Sequence, residues 1–159
     1  MSPERIYLDA NIFIAMLEQN DAVSRHLLQL FASAPHTDMP RLVTSELTLA
    51  ETIVAPIREG NAAELASYER TVASSEALEV VPVDRKILLR AGELRAFDTS
   101  LRLPDAIHVA RAISADCKFI LTADKRLAAA LERPSRVAYP VPAAPTTEML
   151  ADLIPENRS

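Results

Sequence analysis

Glycine and cysteine are almost missing from this chain of 159 residues, which holds two of the first and one of the second. With only Gly60 and Gly92 to draw on, neither a phosphate-cradling GxxxxGK loop nor a dinucleotide-binding GxGxxG turn is present, since both need several glycines where backbone meets phosphate. P-loop NTPase and Rossmann dehydrogenase chemistry are thereby excluded. The lone Cys117 permits no internal disulfide and no thiolate zinc cluster, a usage that suits a reducing compartment. Long apolar runs are lacking too: the first, Ile6 to Leu17, is broken by Asp9 and Asn11, well short of the roughly 18 apolar residues that a membrane helix needs. The opening Ser2-Pro3-Glu4-Arg5 has no positively charged region of the signal-peptide kind. A cytoplasmic protein with no membrane segment is expected. Nor is there an excess of positive charge. Seventeen basic against 22 acidic side chains leave a net −5, so any binding of a polyanion must come from a local patch.

What is there reads as one soluble globular domain, 49% hydrophobic and 25% charged. Short β-type runs alternate with helical patterns, which predicts an α/β three-layer sandwich: a central parallel sheet of four to five strands with helices on both faces. The strands are expected at 6–8, 41–44, 78–83, 118–122 and 136–141. Helices are expected over 12–18, 22–33, 85–97 and 125–132, with Asp84 capping the third. Another follows a Thr44 or Ser45 cap and is ended or bent by Pro56. A further one opens on Asn61 with Glu64 three residues on, and one has Pro104 in its first turn and runs to about 116. Five of the 11 prolines lie from Pro134 onward, which divides the chain into a domain over 1–141 and a proline-rich extension over 142–159. That extension has room for one short helix, whose Met149, Leu150 and Leu153 would dock on the core or on a partner.

Four carboxylates sit where a core would not choose them. Asp9 and Asp124 follow the first and fourth strands at their carboxyl ends, the edge where open parallel sheets bind ligands. Asp105 lies in the first turn of the helix that leads into the fourth strand, so it can face the same edge. On a wheel of roughly 3.6 residues per turn, Glu51 falls between Leu47 and Ala55, inside the apolar arc. A buried carboxylate must be hydrogen-bonded, protonated or paired with a cation. Several together persist only if protons or a hard cation offset their repulsion. Mg²⁺, or Mn²⁺, is the natural guest, because it takes a few carboxylates plus water and phosphate and can activate water against a phosphodiester. Hydrolysis of a nucleic-acid backbone is the predicted chemistry. Asn11 and Thr122 stand close enough in sequence to orient Asp9 and Asp124, although turn and strand roles explain both equally well. Arg95, Arg102, Lys125 and Arg126 are candidate phosphate contacts. His108, one turn after Asp105, is read as a packing or surface histidine.

The segments Tyr7-Leu8-Asp9-Ala10-Asn11, Thr44 to Glu51, Leu103 to His108 and Leu121 to Leu127 together resemble the PIN-domain family, above all its VapC-like toxins. The resemblance covers nearly the whole chain. It implies metal-binding, catalytic acids at Asp9, Glu51, Asp105 and Asp124. It further implies a Mg²⁺-dependent endoribonuclease acting on single-stranded or structured RNA, a homodimer, and a cognate antitoxin that blocks the active site. Two other classes compete. A PIN-like module would keep the fold and work only by binding, but all four acids are present. A receiver-like phosphoacceptor would need paired acids at the first strand and a central acceptor Asp. A haloacid-dehalogenase-type phosphatase would need Asp at position 11, which is Asn.

Overall fold

The computed structural model describes residues 4–33 and 40–154. Its centre is β1 (Ile6–Leu8), β2 (Leu42–Ser45), β3 (Leu78–Val81), β4 (Phe119–Leu121) and β5 (Val141–Ala143). They form one all-parallel sheet in the order β3-β2-β1-β4-β5. The chain winds outward from β1 to β3, then returns to the other side of β1 for β4 and β5. The direction of winding therefore reverses between β1 and β4, and in such sheets a crevice opens at the carboxyl ends of the two strands that flank the reversal.

Parallel strands need helical crossovers, and these cover both faces. Alternation along β1 decides the layers. Ile6 and Leu8 point into a core with Leu42, Leu78 and Leu121, packed under α1 (Ala10–Glu18), α2 (Ala22–Ala32) and α5 (Ala62–Thr71). Tyr7 points the other way, with Val43, Val81 and Ile120, under α6 (Arg85–Phe97), α7 (Leu103–Ser114) and α8 (Lys125–Glu132). The helix starts follow local chemistry. Asp21, Asn61 and Asp84 each accept a hydrogen bond from a first-turn amide, and Pro104 occupies the first turn of α7, where its missing N–H costs nothing.

One detail of the expected layout changes, the edge strand, and two open points are decided. The helix after β2 breaks at Ile53 into α3 (Glu46–Thr52) and α4 (Val54–Glu59), because Pro56 has no N–H for the Thr52 carbonyl four residues back and its ring clashes there. The edge strand lies at Val141–Ala143 rather than 136–141, so it spans the boundary expected after 141. Val141 N donates to Lys118 O, and Ala143 O accepts from Thr122 N. That alternation turns Pro142 outward, where a residue without an N–H is tolerated. The tail helix α9 (Thr147–Leu153) packs on α2 through buried Leu150, so it docks on the core. Among the described residues no helix is long and apolar enough to cross a membrane.

Candidate active site

The crevice at the β1–β4 reversal holds a connected polar network. Asp9 ends β1 and caps α1: its Oδ1 accepts from Ala10 N at 2.8 Å. Its Oδ2 accepts from Thr122 Oγ1 at 2.8 Å and from Asn11 Nδ2 at 3.0 Å. With only 6% of its surface exposed, this carboxylate survives because every oxygen is satisfied. Thr122, just past β4, is the hub. Its Oγ1 also accepts from Asp124 N at 3.0 Å and Asn11 Nδ2 at 3.2 Å, while Asn11 Oδ1 accepts from Ala123 N at 3.0 Å. These bonds tie the carboxyl ends of β1 and β4 into one platform. Both Asn11 and Thr122 therefore have specific partners here.

The other acids reach the platform through two basic side chains. Asp124 caps α8, its Oδ1 accepting from Arg126 N at 2.9 Å and Leu127 N at 3.2 Å. Its Oδ2 lies 3.5 Å from Arg126 Nη2, which is 2.5 Å from Asp105 Oδ2. One guanidinium nitrogen thus faces two of the four acids, and Asp105 in turn holds the Arg126 pKa above its ordinary value. Glu51, near the end of α3, turns its Oε1 to His108 Nε2 at 2.5 Å. His108 Nε2 also stands 3.7 Å from Asp9 Oδ1. Behind the imidazole, Tyr7 Oη meets Nδ1 at 2.6 Å with the two rings edge to face. Burial pushes the Tyr7 phenol far above its ordinary range, so it keeps its proton to donate. Both ring nitrogens of His108 thus have partners, Nδ1 the Tyr7 phenol and Nε2 the Glu51 carboxylate.

Two sequence readings change. Glu51 is not embedded among apolar neighbours: its side chain is 35% exposed, and Ala50, Val54 and Ala55 face solvent, because α3 turns its Thr48 and Thr52 face to the core instead. His108 is neither a surface nor a mere packing residue. It is 1% exposed and joins two of the acids. The missed signal was its place on α7 three residues after Asp105, together with a buried Tyr7 hydroxyl that needed a partner. Of the candidate phosphate contacts, Arg126 is inside the network. Arg95 holds the Leu101 carbonyl at 3.1 Å. Arg102 and Lys125 are exposed at the starts of α7 and α8.

Hard carboxylate and hydroxyl oxygens are the donor set that a Mg²⁺-like ion prefers, so the chemistry of the four acids fits such a cation. In the folded chain these acids are met by other protein groups. Among the described residues no three His, Cys, Asp or Glu side chains stand together as a metal site, since Arg126 draws Asp105 and Asp124 to itself and His108 draws Glu51.

Residues 6–132 match the family model of the PIN domain. No curated protein sequence matches the chain. Among solved structures, Mycobacterium tuberculosis VapC20, a toxin that cleaves the sarcin–ricin loop, superposes with a TM-score of 0.63 at 20% identity, over 79% of this chain and 94% of that one. VapBC2 from Rickettsia felis, bound to a DNA fragment from its promoter, gives 0.62 at 16% identity, over 87% and 97%. A toxin–antitoxin complex from Klebsiella pneumoniae gives 0.55 at 21% identity, over 75% and 86%.

Proposed function

The chain belongs to the PIN domain family, and on that premise we propose that it is a divalent-metal-dependent endoribonuclease acting on single-stranded RNA, the toxin of a toxin–antitoxin pair. The observation that carries this reading is the convergence of Asp9, Glu51, Asp105 and Asp124 on the β1–β4 reversal through one network of hydrogen bonds and ion pairs. These four acids are the residues assigned to hold Mg²⁺ or Mn²⁺. A cation bound there would neutralise the phosphodiester charge and acidify the attacking water.

The chain's own residues set the conditions. Asn11, Thr122 and the Ala10 amide fix the Asp9 oxygens, and the Tyr7–His108 pair fixes Glu51. Arg126 offsets part of the charge of Asp105 and Asp124 in the absence of other cations, and Arg95, Arg102, Lys125 and Arg126 are the residues proposed to meet RNA phosphates. The acids account for most of the net −5, so their neutralisation removes most of the repulsion toward RNA. Solved relatives in fold include toxin–antitoxin complexes, and an antitoxin partner and a homodimer are part of the same proposal, as is a cytoplasmic location.

The test is cleavage of a single-stranded RNA panel by the purified protein. Cutting should occur in Mg²⁺ and vanish in EDTA, and Asp9→Asn and Asp105→Asn should each abolish it while the far-ultraviolet spectrum stays native. Undiminished cleavage by the double variant in EDTA would refute the mechanism. The pairing of every acid with a protein cation or donor favours one other reading, a PIN-like module that binds without cutting; wild type that binds RNA and leaves it intact in Mg²⁺ would establish that instead.

A further inference from the structure

Phe97, the last residue of α6, is 71% exposed. One face of its ring is covered by the Arg136 guanidinium, whose carbon lies 5.8 Å from the ring centroid. These two line a pocket of about 360 Å³ with Asp98, Arg133, Pro134 and Ser135. Two arginines meet there in a chain that is acidic overall, and the one carboxylate, Asp98, is already engaged by Ser100, through its amide at 3.0 Å and its hydroxyl at 2.5 Å. The lining thus carries two positive charges against one negative, beside a ring that is mostly exposed.

The position matters as much as the composition. Arg133 closes the far end of α8, and Asp124 caps its near end. At a rise of ~1.5 Å per residue, eight helical residues put the pocket roughly 12 Å from the acidic crevice. The loop over 98–102 adjoins both. Asp98 braces it on the pocket side, and Ser100 O accepts from Arg126 Nη1 at 3.2 Å on the crevice side. Aromatic faces flanked by arginine are the usual platform for unpaired bases, because every base offers a π-face and every linkage a phosphate. An acidic peptide would use the guanidiniums and leave the ring idle.

We propose that the Phe97–Arg136 pocket is a base-stacking subsite for single-stranded RNA, in which Phe97 stacks one unpaired base and Arg133 and Arg136 hold the adjoining phosphates, so that the strand runs over the 98–102 loop into the crevice. This rests on the ribonuclease reading above, and the experiment separates the two.

The chain has no tryptophan, so a Phe97→Trp variant carries a single indole at the subsite. The probes are a six-nucleotide 2′-O-methyl oligouridine, which resists cleavage, and an abasic strand with the same number of phosphates. Oligouridine should quench the indole and the abasic strand should not. Phe97→Ala and Phe97→Leu should each bind oligouridine roughly fivefold to a hundredfold more weakly than wild type, the range carried by one base stack, with the variant Phe97→Trp restoring affinity. On a cleavable RNA, Phe97→Ala should raise KM and leave kcat unchanged. Melting temperatures should not move, since Phe97 is exposed. Equal affinity of wild type and Phe97→Ala, or equal quenching by the abasic strand, overturns the subsite and leaves the ribonuclease reading intact. Wild type that neither binds nor cuts RNA overturns both. Quenching by a glutamate-rich peptide and not by oligouridine overturns the subsite in favour of a protein ligand.

Discussion

Removing one oxygen atom tests the relay behind the acidic crevice. In Tyr7→Phe the ring keeps its place under α7, and only the hydroxyl that meets His108 Nδ1 at 2.6 Å is lost. Both residues are buried, so no water replaces it. The lost hydrogen bond is worth about 1 kcal/mol, and a buried ring nitrogen left without a partner costs about 1–3 kcal/mol. Phenylalanine is the more apolar side chain and recovers a part, which leaves a net destabilisation of about 2 kcal/mol. For a domain of this length each kcal/mol shifts the midpoint by roughly 2–4 °C, so Tm should fall by roughly 4–8 °C, with the urea midpoint falling in step. The same variant should couple to Glu51→Gln. The two changes meet on one imidazole, and contacting residues couple by about 0.5 kcal/mol or more. Alkaline pH supplies a sign. Burial raises the folded Tyr7 pKa above the ordinary 10.0, so its contribution is complete below pH 10 and is lost as pH climbs beyond it, when the unfolded phenol ionises and the folded one does not. The gap between wild type and Tyr7→Phe should therefore narrow above pH 10. A variant as stable as wild type, or one strictly additive with Glu51→Gln, refutes the relay.

The platform joining β1 to β4 should depend on Thr122 in the same way: Thr122→Val keeps the shape, deletes three hydrogen bonds and should cost about 2–3 kcal/mol in urea unfolding, with a loss below about 0.5 kcal/mol counting against the hub. Arg126→Ala frees Asp105 and Asp124 from their shared cation, so millimolar Mg²⁺ should raise Tm more in the variant than in wild type; an equal or smaller rise means that Arg126 and the metal do not compete for these acids. Burial pushes the Cys117 thiol from 9.0 up to about 12. Iodoacetamide at pH 9 should thus label the unfolded chain far faster than the native one, and Cys117→Ala should flatten the loss of stability that wild type shows between pH 9 and 12.

Local signals were enough where one segment determined its own structure. Asp84 and Asp124 mark the starts of α6 and α8, and both helices keep the expected bounds. The sheet was legible because short apolar runs alternated with helical ones, and the ends of β1 and β4 followed from the acids themselves. The edge strand was misplaced for a physical reason. Val137, Tyr139 and Val141 alternate as a strand should, but pairing is decided by the neighbour, and β4 offers its free groups opposite Val141 and Ala143. Glu51 lies outside the core because the buried face of α3 carries Thr48 and Thr52, whose hydroxyls are satisfied by Thr44 and by backbone carbonyls, and a wheel read on apolar residues alone points to the wrong arc.

What no single segment could show is how the acids are compensated. Electrostatics alone demands a partner for each buried or crowded carboxylate, and in sequence a hard cation is the simplest one. In the folded chain the demand is met first by residues from the same two helices, His108 of α7 and Arg126 of α8. Tyr7 and His108 stand 101 positions apart, and only the alternation of β1, which sends Tyr7 to the face opposite Ile6 and Leu8, brings them together. A cation entering this crevice therefore has to displace Arg126 rather than fill a bare cluster. Its affinity is set by the difference between its own attraction to Asp105 and Asp124 and that of a guanidinium already in place, and weakening the guanidinium should strengthen the metal.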